Sequence, residues 1–157
     1  MATEWVIFLL GIASVLGFAG GAIGSSLGML VSTRAGVSII SEDPQQLRNV
    51  ILLAALPMTQ TLYGVIFAIY LTTTVMPRAA TLSVIAAGGI VGLGFVTMVA
   101  ECFSAWAQGI ACATGISMLS KTKGQITTST LVLAAYTEFV GILGMVFGIA
   151  ITSLMIG

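Results

Sequence analysis

The chain has 157 residues, of which 58% are hydrophobic and only 6% charged, with five basic side chains, five acidic ones and no histidine. A soluble domain carries about a quarter of its residues as charges, so this chain cannot cover a globule with solvated groups, and a bilayer is its natural solvent. A net charge of zero with no basic run leaves no electrostatic footprint for nucleic acid, and the lack of histidine excludes an imidazole metal site or general base.

Glu4 stands where a cleavable signal would carry positive charge, and the apolar stretch after it is too long for a signal core. From Trp5 to Thr33 there is no charge, which predicts a first membrane helix over about 5–40. Ser41-Glu42-Asp43-Pro44 has turn chemistry and ends it. The uncharged stretch from Asn49 to Pro77 predicts a second helix over about 48–76, closed by Pro77-Arg78. Residues 1–78 thus form a first hairpin. Between Ala79 and Ser120 the only charge is Glu101, and a third helix is predicted over about 79–120. Lys121-Thr122-Lys123-Gly124 ends it. From Gly124 to Gly157 the only charge is Glu138, in a fourth helix predicted over about 125–156. Residues 79–157 form the second hairpin. Continuous apolar runs, rather than alternating segments, exclude a β-barrel. The fold class is an all-α membrane protein of four transmembrane helices.

Arg34, Arg48, Lys121 and Lys123 lie at the first and third loops, and only Arg78 lies at the second. Positive residues favour the cytoplasm, so those two loops are expected there, with both termini outside. Cys102 and Cys112 lie in an apolar stretch without CxxC spacing, and read as buried thiols rather than a disulfide or zinc site.

The chain repeats itself. Ala35-Gly36-Val37-Ser38-Ile39-Ile40-Ser41 resembles Thr114-Gly115-Ile116-Ser117-Met118-Leu119-Ser120, 79 positions on. Leu53-Ala54-Ala55 matches Leu133-Ala134-Ala135, and Gly64 and Phe67 match Gly144 and Phe147, all 80 positions on. The two halves are duplicated helical hairpins. At this offset Glu138 corresponds to Met58, so one half has the carboxylate and the other lacks it.

Gly20, Gly24, Gly28, Ser32 and Gly36 fall four apart in the first helix, with Gly17 and Gly21 on a second row. Gly88, Gly92, Ala100 and Ser104 form a similar row in the third. Small residues at this spacing let backbones approach closely in lipid. Such packing suits either the inner ring of a circular assembly or an ordinary four-helix bundle.

A carboxylate inside a membrane is costly and marks a functional site by default. Glu138 lies 14 residues past Gly124, about 21 Å along a helix. Thr59 and Gln60 lie 11 and 12 residues past Arg48, Gln108 lies 13 before Lys121, and Glu138 lies 15 past Lys123. Three helices therefore offer oxygens at one depth. Pro57 removes a backbone donor, which frees carbonyls between Leu53 and Leu56 for a ligand. Tyr63 is one turn past Thr59, within reach of the carboxylate. A proton needs only the acid and a partner or two, so the surplus of oxygens favours sodium over a proton, which remains the alternative. Glu101 is seven residues from Gln108, on nearly the same face. It reads as a packing residue, a pore-lining acid, or a second ion or proton site.

Leu56-Pro57-Met58-Thr59-Gln60-Thr61-Leu62-Tyr63-Gly64 resembles the second-helix motif of the duplicated rotor proteolipid, the K or c subunit, of bacterial V-type ATPases. Ala107-Gln108-Gly109 and the Glu138 region, with Gly141 to Gly144, are similar to its third and fourth helices. The resemblance covers essentially the whole chain. It implies that Na+ is held by Glu138, Thr59, Gln60, Gln108 and the Leu56 carbonyl, with Tyr63 as a hydrogen-bond partner. Met58 stands where a glycine is common, and Glu101 has no counterpart in the pattern. The resemblance further implies a homo-oligomeric ring in the cell membrane, turning against a stator subunit that bears an arginine. Central-stalk subunits then meet the cytoplasmic loops, and partner subunits, not this chain, hydrolyse ATP. Two other readings use the same residues: a small four-helix cation or multidrug antiporter, and a tetraspan scaffold with no transport role.

Overall fold

A computed structural model of the chain describes residues 2–157, and almost every described residue belongs to a helix or a short turn. Helix α1 runs unbroken over Ala2–Glu42. At about 1.5 Å per residue it spans about 60 Å, roughly twice the hydrocarbon core, so it projects beyond the bilayer. Asp43 then accepts a hydrogen bond from the Gln45 amide, and Pro44 opens a single 3-10 turn, Pro44–Gln46.

The second membrane span, Pro44–Arg78, is broken in its middle. Helix α2 covers Leu47–Ala55, a 3-10 turn covers Leu56–Met58, and α3 covers Thr59–Tyr70. Pro57 is the cause, because it lacks the N–H that would continue the α-helical ladder. The span ends in a wider turn, Leu71–Val75, and a tighter one, Met76–Arg78.

The third helix begins later than the uncharged run suggests. Residues 79–83 connect the two hairpins, and α4 spans Val84–Ile116. Ser83 has extended backbone and accepts from the Ala86 amide at 3.1 Å, an N-cap that starts the helix there. A one-turn helix, α5, covers Leu119–Thr122. Lys123 and Gly124 both have left-handed backbone, with φ of 50° and 82°, which reverses the chain. Helix α6 then covers Thr127–Ile156. Four segments are thus long and apolar enough to cross a membrane.

The two glycine rows of α1 serve two neighbours. A methyl group on Gly20 or Gly24 would collide with the α4 backbone at Met98 or Cys102, and one on Gly28 with that at Ala105. A methyl on Gly17 or Gly21 would collide with Phe67 or with the backbone at Gln60 on the second span. α1 therefore lies wedged between α4 and the second span, while α4 also packs along α6. The expected row on α4 does not pack this way: Gly88 and Gly92 face open space, and Gly94 and Gly109 make the close contacts with α1 instead. The reason is rotational setting, since only the face turned toward α1 needs small residues. Cys102 is half-buried, Cys112 is buried, and both are free thiols.

Duplicated contacts accompany the duplicated sequence. Gly36 meets Val50 in the first hairpin as Gly115 meets Thr130 in the second. Ser25 meets Thr61 as Ser104 meets the Cβ position of Gly141. Large apolar side chains such as Phe139, Tyr136 and Ile85 stand exposed around the outside, as lipid or neighbouring helices require. Replacing Gly24 with valine should destabilise the fold by 1 kcal/mol or more (roughly 1–3 for overpacking). Gly88→Ala should leave stability unchanged or slightly raised, because its Cβ would meet nothing. Thermal unfolding of the two variants in detergent checks the contrast.

Candidate ion-binding site

The break at Pro57 sets the site's geometry. Within the 3-10 turn the Leu56 carbonyl accepts from the Thr59 amide, and the Thr59 hydroxyl donates to the same carbonyl at 3.0 Å. That hydroxyl also approaches Gln60 Oε1 at 3.1 Å. Three oxygens of the second span, from Leu56, Thr59 and Gln60, thus converge within one turn of chain.

Gln60 then reaches across to α4. Its amide nitrogen donates to Gln108 Oε1 at 3.1 Å and to Ser104 Oγ at 3.0 Å. Gln108 in turn donates to Glu138 Oε2 and to the Ala134 carbonyl, both at 3.3 Å. Tyr63 donates to Glu138 Oε1 at 2.6 Å. Each carboxylate oxygen therefore has a named donor. Gln60 and Gln108 are fully buried. Glu138, Thr59 and Tyr63 are half-buried in the single chain.

The network is continuous from Leu56 to Glu138 and spans three helices. It brings together every residue singled out around Glu138, and it places Thr59 at the Gln60 end rather than directly on the carboxylate. Counted from Thr127, Glu138 lies 11 residues into α6, about 17 Å along the helix. Chemically, a cluster of neutral oxygens around one charged oxygen pair suits a hard monovalent cation or a proton. No cluster of three or more histidine, cysteine or acidic side chains exists among the described residues, so a transition-metal site has no support here.

Ser104 is a member that the sequence did not announce as a ligand. It appears in the small-residue row, yet it accepts from Gln60 and donates to the Thr137 carbonyl at 2.7 Å. Its position four residues before Gln108 was the available signal.

Glu101 does not line a pore. Its side chain is fully buried within the single chain. A methyl group on Gly141 would lie 3.0 Å from both Glu101 Oε2 and Ser104 Oγ, so the acid faces α6 one turn from Glu138. Neither of its oxygens has a hydrogen-bond partner among the described residues. A buried carboxylate with no donor is costly as an anion.

A family model described as the ATP synthase C subunit matches residues 10–71 and again residues 79–151. The chain belongs to that family. Its two matches coincide with the two hairpins, and the chain is a V-type ATPase proteolipid of the duplicated kind. Among curated relatives, the chain is 30% identical to V-type sodium ATPase subunit K of Enterococcus hirae, over 90% of this chain and 86% of that protein. It is also 30% identical to A-type ATP synthase subunit K of Methanocaldococcus jannaschii, over 95% of this chain. The chain spans 63% of the length of that archaeal relative.

Two variants separate the roles of the two acids. Glu101→Met should unfold at a higher temperature than the native chain, because an unpaired buried polar group costs about 1–3 kcal/mol and methionine has none. Tyr63→Phe should instead lose stability, by about 1.5–3 kcal/mol if Glu138 is ionised. Parallel thermal melts in detergent at one pH check both signs.

Proposed function

We propose that the chain carries Na+ through the membrane on Glu138, as one copy in a rotor ring driven by ATP hydrolysis in partner subunits. The observation that carries this reading is the unbroken run of oxygens from the Leu56 carbonyl through Thr59, Gln60 and Gln108 to Glu138. A proton site would require only Glu138 and Tyr63. The added threonine, amides and carbonyl supply what a dehydrated sodium ion needs in place of water. The printed name of the Enterococcus hirae relative points the same way.

Each residue has a role in that cycle. Glu138 supplies the compensating charge. Thr59, Gln60, Gln108 and Leu56 offer neutral oxygens, and Pro57 exposes the last of them. Tyr63 fixes the carboxylate's orientation by its short hydrogen bond. With its ion bound the carboxylate is electrically neutral and can face lipid at modest cost. An arginine on a stator subunit would compete with the ion for the carboxylate and release it. Moving each charge against the membrane potential takes about 2.3 kcal/mol per 100 mV. One such acid per four helices gives each ion a larger share of the ATP energy, which favours pumping. Arg34, Arg48, Lys121 and Lys123 orient the first and third loops toward the cytoplasm and the central stalk.

Dicyclohexylcarbodiimide modification of the purified protein tests the ion. Labelling should fall on Glu138, disappear in Glu138→Gln, and be suppressed by Na+ at a fixed pH. Suppression that follows pH alone, with no response to sodium, assigns the site to protons. An antiporter would assemble as a dimer rather than a ring, and a scaffold would tolerate Glu138→Gln without loss of function.

A further inference from the structure

The duplication supplies a second copy of every position in the ion site, and no single chain contains that copy assembled. Positions move by 79 from α1 to α4 and by 80 from the second span to α6. The hairpins keep this register in three dimensions, as the paired contacts Gly36–Val50 and Gly115–Thr130 demonstrate. Glu138 maps onto Met58, Gln108 onto Met29, Thr59 onto Phe139, Gln60 onto Val140, and Tyr63 onto Leu143.

The site proper lies between the two hairpins of one chain. Tyr63 of the first hairpin meets Glu138 of the second at 2.6 Å, and Gln60 of the first meets Gln108 of the second at 3.1 Å. In a ring of such chains the second hairpin of one copy meets the first hairpin of the next. The images of those contacts are therefore Leu143 against Met58, and Val140 against Met29, across two copies. Within the single chain these flanks lie open. Met58 is 52% exposed, Val140 54% and Leu143 50%, whereas Gln60 and Gln108 are 0% exposed.

We propose that each chain carries, one on each hairpin, the halves of a largely apolar replica of its ion site, and that the replica closes between neighbouring copies as a seam that holds no ion. The occupant of this exposed face is a second copy of the same chain. Glu138, Gln108, Thr59, Gln60 and Tyr63 have as images two methionines, a phenylalanine, a valine and a leucine, while Ser104 keeps its hydroxyl as Ser25, held by Thr61 at 2.8 Å, and the Leu56 position becomes Tyr136. The charge of Glu138 and the oxygens of Thr59 and both glutamines are all gone from the replica. A cation would find no carboxylate there and too few oxygens to replace its water. The seam thereby confines exchange to the polar site and holds each chain to one ion. Loss of the first-half acid is then not the sole reason for that count, since Met58→Glu alone would find no ligand set around it. This inference rests on the ring assembly proposed above.

Cysteine pairing decides it. In a chain with Cys102 and Cys112 changed to alanine, Met58→Cys and Leu143→Cys together should give, with a bismaleimide long enough to bridge the space left by the two side chains (too wide for a direct disulfide), a ladder of covalently joined copies. Either cysteine alone should give no product above a dimer. If the native mass shows a ring but the double variant gives no ladder, the seam is wrong and the ring stands. If the native mass shows no ring, the assembly itself is wrong. In the ring, sodium counting provides a second measurement. Met58→Glu should still bind one ion per chain, and a doubling of bound sodium overturns the claim that the whole replica is lost.

Discussion

An ionised carboxylate has no place in hydrocarbon unless something nearby answers its charge. Glu138 meets that constraint with a phenol on one oxygen and an amide on the other. Each of those donors stands on a different helix, so the carboxylate fixes the relative rotation of the second span, α4 and α6. Helix α1 contributes no ligand. Its glycines let it press against both α4 and the second span at backbone distance, which brings the ligand-bearing helices close enough for Gln60 to span the gap. Close packing and the polar network are therefore one problem, solved by small residues on α1 and long polar ones on its neighbours.

Glu101 obeys the same constraint by another route. It is more deeply buried than Glu138 and has no donor among the described residues. Two acids one turn apart on facing helices cannot both remain bare anions at low dielectric. The network around Glu138 gives each of that residue's oxygens a donor, while Glu101 sits against Gly141, where a side chain larger than hydrogen would press on it.

Much of this was legible in the sequence because the membrane makes charge and proline conspicuous. Four apolar runs, two of them without charge and two with a single acid each, marked four spans. Pro57, three residues before Gln60, marked the broken helix, and the equal depths of Thr59, Gln60, Gln108 and Glu138 marked their convergence. Other features left no trace in charge. Residues 79–83 continue the run from the helix after them with only Arg78 nearby, and the Ser83 cap alone betrays the start of α4. Spacing alone could not say which face of α4 turns to α1, so Gly88 and Gly92 read as packed when they are open. Ser104 looked merely small until its two hydrogen bonds placed it in the network. The helical count from Gln108 to Glu101 did hold the answer about the latter's face, since seven residues bring the side chain back toward the same neighbour.

The most direct test counts sodium on the purified ring with a radioactive isotope at constant pH. Saturable binding of one ion per chain is expected, abolished in Glu138→Gln and weakened at least tenfold in Gln108→Leu, which removes one oxygen and one donor. Binding that survives Glu138→Gln, or no measurable binding to the native ring, would contradict the assignment of sodium to this carboxylate.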